Sequence, residues 1–442
     1  MIPELLMPAG DLEKAKYAIA FGADAVYAGI PQFSLRVKEN TFNLNETKEL
    51  IDYVHKKNKK IYITANIYPH NNKIESFQKH FDELVKLKPD AFIMSDPGLI
   101  MLALEKYPEI EIHLSVQQNN VNWASSKFWG KIGIKRIILA RELSIKEIET
   151  IIEKNPNLEF EVFIHGAMCI AYSGRCLLSN YFAKRDANQG ICAQSCRWQY
   201  KVLKQVGSEQ ETDLQSDFTI RSKPEDYKKI NGDFFLEEKL RPNQLTEIQE
   251  DENGTYIMNS RDICAISYIE DLMKIGVHSF KVEGRNKSVY YAAIVAKVYR
   301  EIIDKLKAGE KIDAKKYLEE LQSVANRGYI PGFLAEPLTH EAQWYEKNSH
   351  LQTHIFAGIL ISYNKETGEA IFHAKNQLNS EDIIEIITPK NKFEVSLKEM
   401  TDENNNKISE IHPGAGNFKI IIPNLNSDFA IARLKGNQKR NS

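Results

Sequence analysis

From the N-terminus to about Lys307, short apolar runs alternate with stretches of helical periodicity, the pattern of βα units around a parallel sheet. Eight runs read as strands: Leu5 to Pro8, Ala25 to Ala28, Lys60 to Ala65, Ala91 to Ser95, Ile112 to Val116, Arg136 to Ala140, Phe160 to Ile164 and Ser279 to Val282. Amphipathic stretches such as Asp11 to Phe21, Glu46 to Lys57 and Ile74 to Leu87 lie between them, with Asp11 and Asn45 as N-caps. Eight strands with intervening helices predict an α/β fold of the (β/α)8 TIM-like barrel type, closed by a last helix over Ser288 to Lys307.

In such a barrel the functional groups sit at the C-terminal strand ends and in the loops that follow. Those ends supply Gly10, Tyr27, Gly29, Asn66, Asp96, Gln117, Arg141, Glu142, His165, Gly166, Glu283, Gly284 and Arg285. Each is also a residue type that meets water in any loop. Glu142 and Glu283 are candidate acid–base groups, and His165 is a candidate proton carrier because imidazole titrates near neutrality. Asn66 and Gln117 are candidate binding groups.

The connection after the seventh strand, residues 167–256, is far longer than an ordinary βα loop, which makes it a functional insertion. It carries four of the five cysteines, Cys169, Cys176, Cys192 and Cys196, spaced C-x6-C-x15-C-x3-C. Four clustered thiols in a chain with no secretory signal and no membrane-spanning run point to one metal centre in a cytoplasmic protein, rather than to disulfides. Zinc knuckles favour spacings of two to four residues, which only the second pair meets, so spacing leans towards an iron–sulfur centre and leaves structural zinc open. The second half of the insertion, polar and acidic towards its end, reads as a solvated excursion.

Past Pro337 the pattern becomes short β-rich runs between Asn, Gly and Lys turns: Ile355 to Tyr363, Glu369 to Ala374, Asp382 to Ile387, Glu394 to Leu397 and Phe418 to Ile422. The expected organisation is a barrel over 1–337, insertion included, and a small all-β barrel or sandwich over 345–435. With 58 Lys plus Arg against 60 Asp plus Glu in 442 residues, net charge shows no global sign of nucleic-acid binding, and any such surface is a local patch. Arg197, Trp198, Tyr200, Lys201 and Lys204, directly after the last clustered cysteine, are one basic and aromatic candidate.

The segment EVFIHGAMCIAYSGRCLLS, from Glu161 to Ser179, resembles the signature of the collagenase-like peptidase family U32. The stretches PELLMPAGD, GADAVYAG, NQGICAQSCRW, MNSRDIC, FKVEGR and NRGY extend the resemblance over essentially the whole chain. The resemblance implies a 4Fe-4S cluster on Cys169, Cys176, Cys192 and Cys196, with Cys264 the sole substitute ligand. It further implies oxygen-independent hydroxylation of the tRNA wobble uridine to 5-hydroxyuridine, using prephenate, with an electron donor or a protein partner as further requirements. A dicarboxylate such as prephenate needs guanidinium forks, and Arg36, Arg141 and Arg285 are the candidates, Arg285 first.

The alternatives are a collagenase-like peptidase and a binding scaffold with structural zinc. Against a conventional protease, His340-Glu341-Ala-Gln-Trp344 has Trp344 where a second zinc ligand belongs, and no G-x-S-x-G elbow occurs.

Overall fold

The computed structural model describes residues 2–30, 42–169, 260–335, 351–414 and 416–435, and within 170–259 residues 172, 176, 178–179, 195–197, 203–205, 227–229, 234–237, 245–251 and 254–256. Eight parallel strands close a barrel. They are β1 (Glu4–Ala9), β2 (Ala25–Gly29), β3 (Lys60–Ala65), β4 (Ala91–Met94), β5 (Ile112–Leu114), β6 (Arg136–Ile138), β7 (Glu159–Ala167) and, after a short β8 (Asp262–Cys264), the closing β9 (Ser279–Val282). Closure is shown by Ser279, which pairs with Glu4 of β1 on one side and Glu161 of β7 on the other. All eight runs read as strands in the sequence are the barrel strands.

Period-two alternation splits each strand between two cores. Leu6, Tyr27, Tyr62, Ile93, Val116, Ile138 and Phe163 form one cluster inside the barrel. Leu5, Met7, Val26, Ile61 and Ile63 pack outward under the helices. These are α1 (Leu12–Ala20), α2 (Leu44–Lys56), α3 (Ile74–Lys86), α4 (Pro97–Lys106), α5 (Trp123–Ile132), α6 (Ile145–Lys154), α7 (Ile269–Lys274), α8 (Val289–Lys307) and α9 (Ala314–Leu321).

Asp11 caps α1 as expected, accepting from Lys14 N at 2.8 Å. The cap of α2 is Asn43 rather than Asn45, because Asn43 and Glu46 stand three apart and close a reciprocal capping box. One strand was not expected: β8 runs antiparallel to β7, pairing Asp262, Ile263 and Cys264 with Ala167, Gly166 and His165. That pairing carries β7 on to Ala167, three residues past the Ile164 end expected from the apolar run. A two-residue β10 (Tyr329–Ile330) extends the sheet beyond β8.

The C-terminal unit is an antiparallel six-stranded sheet of β11 (His354–Tyr363), β12 (Glu369–Ala374), β13 (Ile383–Ile387), β14 (Lys392–Ser396), β15 (Asn417–Ile421) and β16 (Ile431–Lys435), with its own apolar core. It is docked on the barrel. The Tyr17 hydroxyl of α1 donates to the carbonyls of Leu360 and Ala430 at 3.3 and 3.2 Å. Arg433 of β16, almost fully buried, binds Glu385 in its own sheet and Glu320 on α9 at 2.7 and 2.5 Å. Five short strands of the insertion, between Leu203 and Tyr256, pair only with one another among the described residues.

Candidate active site at the barrel mouth

The C-terminal ends of the strands place most of the sequence candidates around one opening. Arg285 follows β9 and is 7 % exposed; its Nη1 donates to Thr64 Oγ1 at the end of β3 (3.1 Å), and Thr64 Oγ1 in turn donates to the carbonyl of Ala28. The β1 end comes so close that a Cβ on Gly10 would meet the Arg285 carbonyl oxygen at 2.0 Å, so glycine is required there. Tyr27 fixes the same corner by donating to the Val282 carbonyl at 2.9 Å.

Two interior rings then gather cations. The Arg141 guanidinium lies 3.9 Å from the Phe163 ring centre, and Lys281 Nζ lies 5.6 Å from that ring and 4.5 Å from Tyr27, whose other neighbour is Arg285 at 6.0 Å. Ring faces hold such cations without neutralising them. Lys281 is also held by an ion pair with Glu161 at 2.6 Å.

The carboxylates differ from each other. Glu283 is 7 % exposed and its Oε2 accepts from the Ala167 amide at 3.2 Å, an approach made possible because Gly166, at φ +105°, leaves room for the Glu283 backbone. Glu142 has its Oε2 buried with no hydrogen-bond partner among the described residues, and burial holds its carboxyl above the usual carboxylate range. A carboxyl in that condition is suited to donate or take a proton.

Asn66 and Gln117 meet through residues that the sequence did not single out. Asn66 Nδ2 donates to Ser115 Oγ at 3.2 Å, Ser95 Oγ donates to the Asn66 carbonyl at 3.1 Å, and Gln117 N donates to Ser115 Oγ at 3.3 Å. Thr64, Ser95 and Ser115 each stand at a strand end, which was the one signal available for them. Arg36 lies outside the described residues, as do Cys192, Trp198, Tyr200 and Lys201.

His165 is buried within an aromatic cluster, with its Nε2 lacking a hydrogen-bond partner among the described residues. Its Nδ1 is 3.2 Å from the Tyr299 hydroxyl of α8, its ring packs among Tyr291, Tyr299 and Tyr329, and burial pushes its pKa down to about 3. It is neutral and aromatic-packed at any physiological pH, the arrangement of a core histidine. Cys264 belongs to the same cluster, 3.7 Å from the Tyr299 hydroxyl, with its thiol pushed up by burial to about 11. A thiol so shielded is a poor nucleophile.

Cys169 lies two residues past the end of β7 and is exposed; Cys176 and Cys196 are half-buried, and all three are free thiols. Among the described residues no three His, Cys, Asp or Glu side chains form a metal-ligand group, and no helix is long and apolar enough to cross a membrane. The donor chemistry nonetheless fits a thiolate-bound centre, because these cysteines begin directly beyond the mouth and carry no disulfide.

Comparison with known proteins matches two family descriptions in tandem, peptidase family U32 over residues 10–344 and the peptidase family U32 C-terminal domain over residues 352–433. The chain is 42 % identical to the tRNA hydroxylation protein P of Haemophilus influenzae and 43 % identical to the tRNA hydroxylation protein P of Escherichia coli, each match covering 99 % of this chain and 98 % of the relative. It is 32 % identical to the 23S rRNA 5-hydroxycytidine C2501 synthase of Escherichia coli over 68 % of this chain and 39 % of that one. This chain is a member of peptidase family U32, with both its barrel and its C-terminal domain.

Proposed function

We propose that this protein is an RNA-modifying enzyme that hydroxylates the wobble uridine of tRNA to 5-hydroxyuridine in the cytoplasm, without molecular oxygen, using prephenate and a 4Fe-4S cluster. The observation that carries the reading is the end-to-end match, across both domains, to relatives named for tRNA hydroxylation. The mouth supports it chemically. It offers guanidinium groups at Arg285 and Arg141 for the carboxylates of a small dianion, and a carboxyl at Glu142 whose proton affinity is raised. The buried Cys264 thiol is held protonated, which argues against it as a protease nucleophile.

In this reading Cys169, Cys176, Cys192 and Cys196 hold the cluster, which supplies one-electron redox chemistry when bound. Arg285, fixed by Thr64, orients the prephenate carboxylate and keeps it out of water. Arg141, over the Phe163 ring at 3.9 Å, provides the second fork. Glu142 exchanges a proton with the reacting groups, and Glu283 is held off that task by the Ala167 amide.

The test is nucleoside analysis of tRNA from cells that carry the wild type or the Cys176→Ala variant, paired with absorbance and iron content of protein purified without oxygen. The expected wild type has a broad band near roughly 400 nm, about four irons per chain and 5-hydroxyuridine in its tRNA, all lost in the variant. Undiminished 5-hydroxyuridine with Cys176→Ala would sink the proposal.

A further inference from the structure

Helix α5 presents to solvent what a folded chain ordinarily hides or neutralises. Trp123 is 44 % exposed and Phe128 56 %, with Ile132 beside them at 39 %. Large rings left in water at one place mark a binding surface more often than a chance of packing. The flanking charges are of one sign. Between Glu111 and Glu142 the charged residues are Lys127, Lys131, Lys135, Arg136 and Arg141, with no carboxylate among them, in a chain whose overall charge is −2.

Arg136 and Arg141 face the barrel interior, which leaves the three lysines outside. All three are exposed, and among the described residues none has a carboxylate within ion-pairing distance. Lys127 and Lys131 stand at i and i+4 on the helix, where like charges repel by a few tenths of a kcal/mol unless an anion lies across them. Neighbouring surface lysines are treated differently: Lys106 on α4 is paired with Asp82 at 2.6 Å.

The face is continuous with the mouth. The loop that enters α5 carries Gln117, whose carbonyl accepts from Tyr68, and Gln118, whose Nε2 donates to the Ser95 carbonyl at the end of β4. Asn120 is 2 % exposed and its Oδ1 has no partner among the described residues; Asn122 caps the helix by accepting from Ser125 N. Along the chain, polar amides at the opening therefore lead into a helix on which exposed rings and lysines are interleaved.

We propose that the outer face of α5 and the turn that follows it dock the tRNA, with Lys127, Lys131 and Lys135 on backbone phosphates and Trp123 and Phe128 against unpaired bases. Polyanion chemistry selects this occupant: an apolar protein partner accounts for the rings and leaves the unopposed lysines without counter-charges, whereas single-stranded RNA engages both. The inference rests on the tRNA-hydroxylase reading and specifies where the substrate lies.

Binding of an unmodified tRNA transcript to the full-length protein, followed by fluorescence anisotropy across a salt series, tests it. Replacing Lys127, Lys131 and Lys135 together by Ala is expected to weaken binding at least about tenfold and to flatten the log–log salt slope by about two to three. The pair Trp123→Ala and Phe128→Ala is expected to weaken binding about tenfold with the slope unchanged. A control with Lys365, Lys390 and Lys398 of the C-terminal domain replaced by Ala removes equal charge elsewhere and is expected to leave affinity near wild type; melting temperatures confirm that each variant is folded.

Wild-type affinity and slope in both α5 variants would overturn the proposal, as would equal weakening by the control. Unchanged tRNA affinity together with altered sedimentation of the α5 variants would assign the face to a protein interface instead. A wild-type protein with no tRNA affinity removes the function reading itself, a result distinct from any of these.

Discussion

The two ends of the barrel interior are both polar, and they handle their charges in opposite ways. At the floor, Arg136 binds Glu4, Glu159 and Glu161 at 2.6, 2.7 and 3.5 Å, Glu161 also binds Lys281, and the Tyr62 hydroxyl donates to Glu4 at 2.7 Å. A cavity of about 610 Å³ opens beneath, and there too Asp24 is clasped by Lys59 and Arg300 at 3.1 and 2.8 Å. At the mouth, Glu142 keeps a buried oxygen unsatisfied, and Arg141 and Arg285 lie against neutral rings. Paired charges hold a structure in one state, and at the floor the carboxylates are paired even though His113 Nδ1 and Arg300 Nε have no hydrogen-bond partner among the described residues. A buried carboxyl oxygen without a partner carries a cost that a ligand can relieve, and Glu142 is such a group at the mouth.

The comparison predicts that floor variants lose stability while mouth variants lose function. The largest effect on folding is expected for Glu161→Gln, which leaves Lys281 buried beside Arg136 with no carboxylate of its own. A loss of about 3 to 5 kcal/mol in denaturant unfolding is expected. A loss under about 1 kcal/mol would mean that the floor network is not structural.

Next comes Arg285→Lys, which keeps the charge and removes the fork. Stability is expected to stay within about 1 kcal/mol, while hydroxylation at limiting prephenate falls roughly tenfold to a hundredfold. An unchanged rate would move the anion site away from β9. Glu142→Gln is expected to cost about a hundredfold in rate and to remove any basic or acidic limb that this carboxyl contributes to the pH profile. A profile identical to wild type would exclude Glu142 as the proton carrier.

The smallest effect is a pH slope, and it separates two of the buried titrating groups, His165 and Glu161. His165 titrates at about 3 in the fold and near 6.5 when unfolded, so the unfolded chain binds the extra proton between those values. The contribution of His165 is therefore full above about pH 6.5 and falls by about 1.4 kcal/mol per pH unit below it. Burial alone raises the Glu161 carboxyl, but Lys281 and Arg136 overcome this and hold it below the carboxylate range, so its contribution survives until the pH drops under about 4. His165→Gln is expected to remove about 2 kcal/mol of the stability difference between pH 7 and pH 5, measured by denaturant unfolding at both values. An unaltered difference would show that His165 is not held neutral.

Much of this architecture was legible in residue order. Apolar runs of strand length located all eight barrel strands, because strands buried on both faces are mostly apolar, and the few charges within them, Arg136, Glu161 and Lys281, are paired with one another. The strand-end rule collected Arg285, Arg141, Glu142, Asn66 and Gln117 before their contacts were known. It also collected His165, and there it had no means of telling a mouth-facing ring from one packed on α8. The α5 surface was not legible in the sequence, because residue type alone does not say whether Trp123, Phe128 and Ile132 are covered, and only the fold shows them exposed.

What the sequence determined by itself was local: strand and helix periods, the Asp11 cap, the four clustered cysteines and the change of pattern past Pro337. What only the tertiary structure decided was long-range pairing. Arg285 meets Thr64, Arg136 meets Glu4, and Arg433 reaches Glu320 across the domain boundary. Periodicity fixes which side of a strand is apolar, but closing the sheet is what brings one strand's end against another's and decides whether a charge there finds a partner.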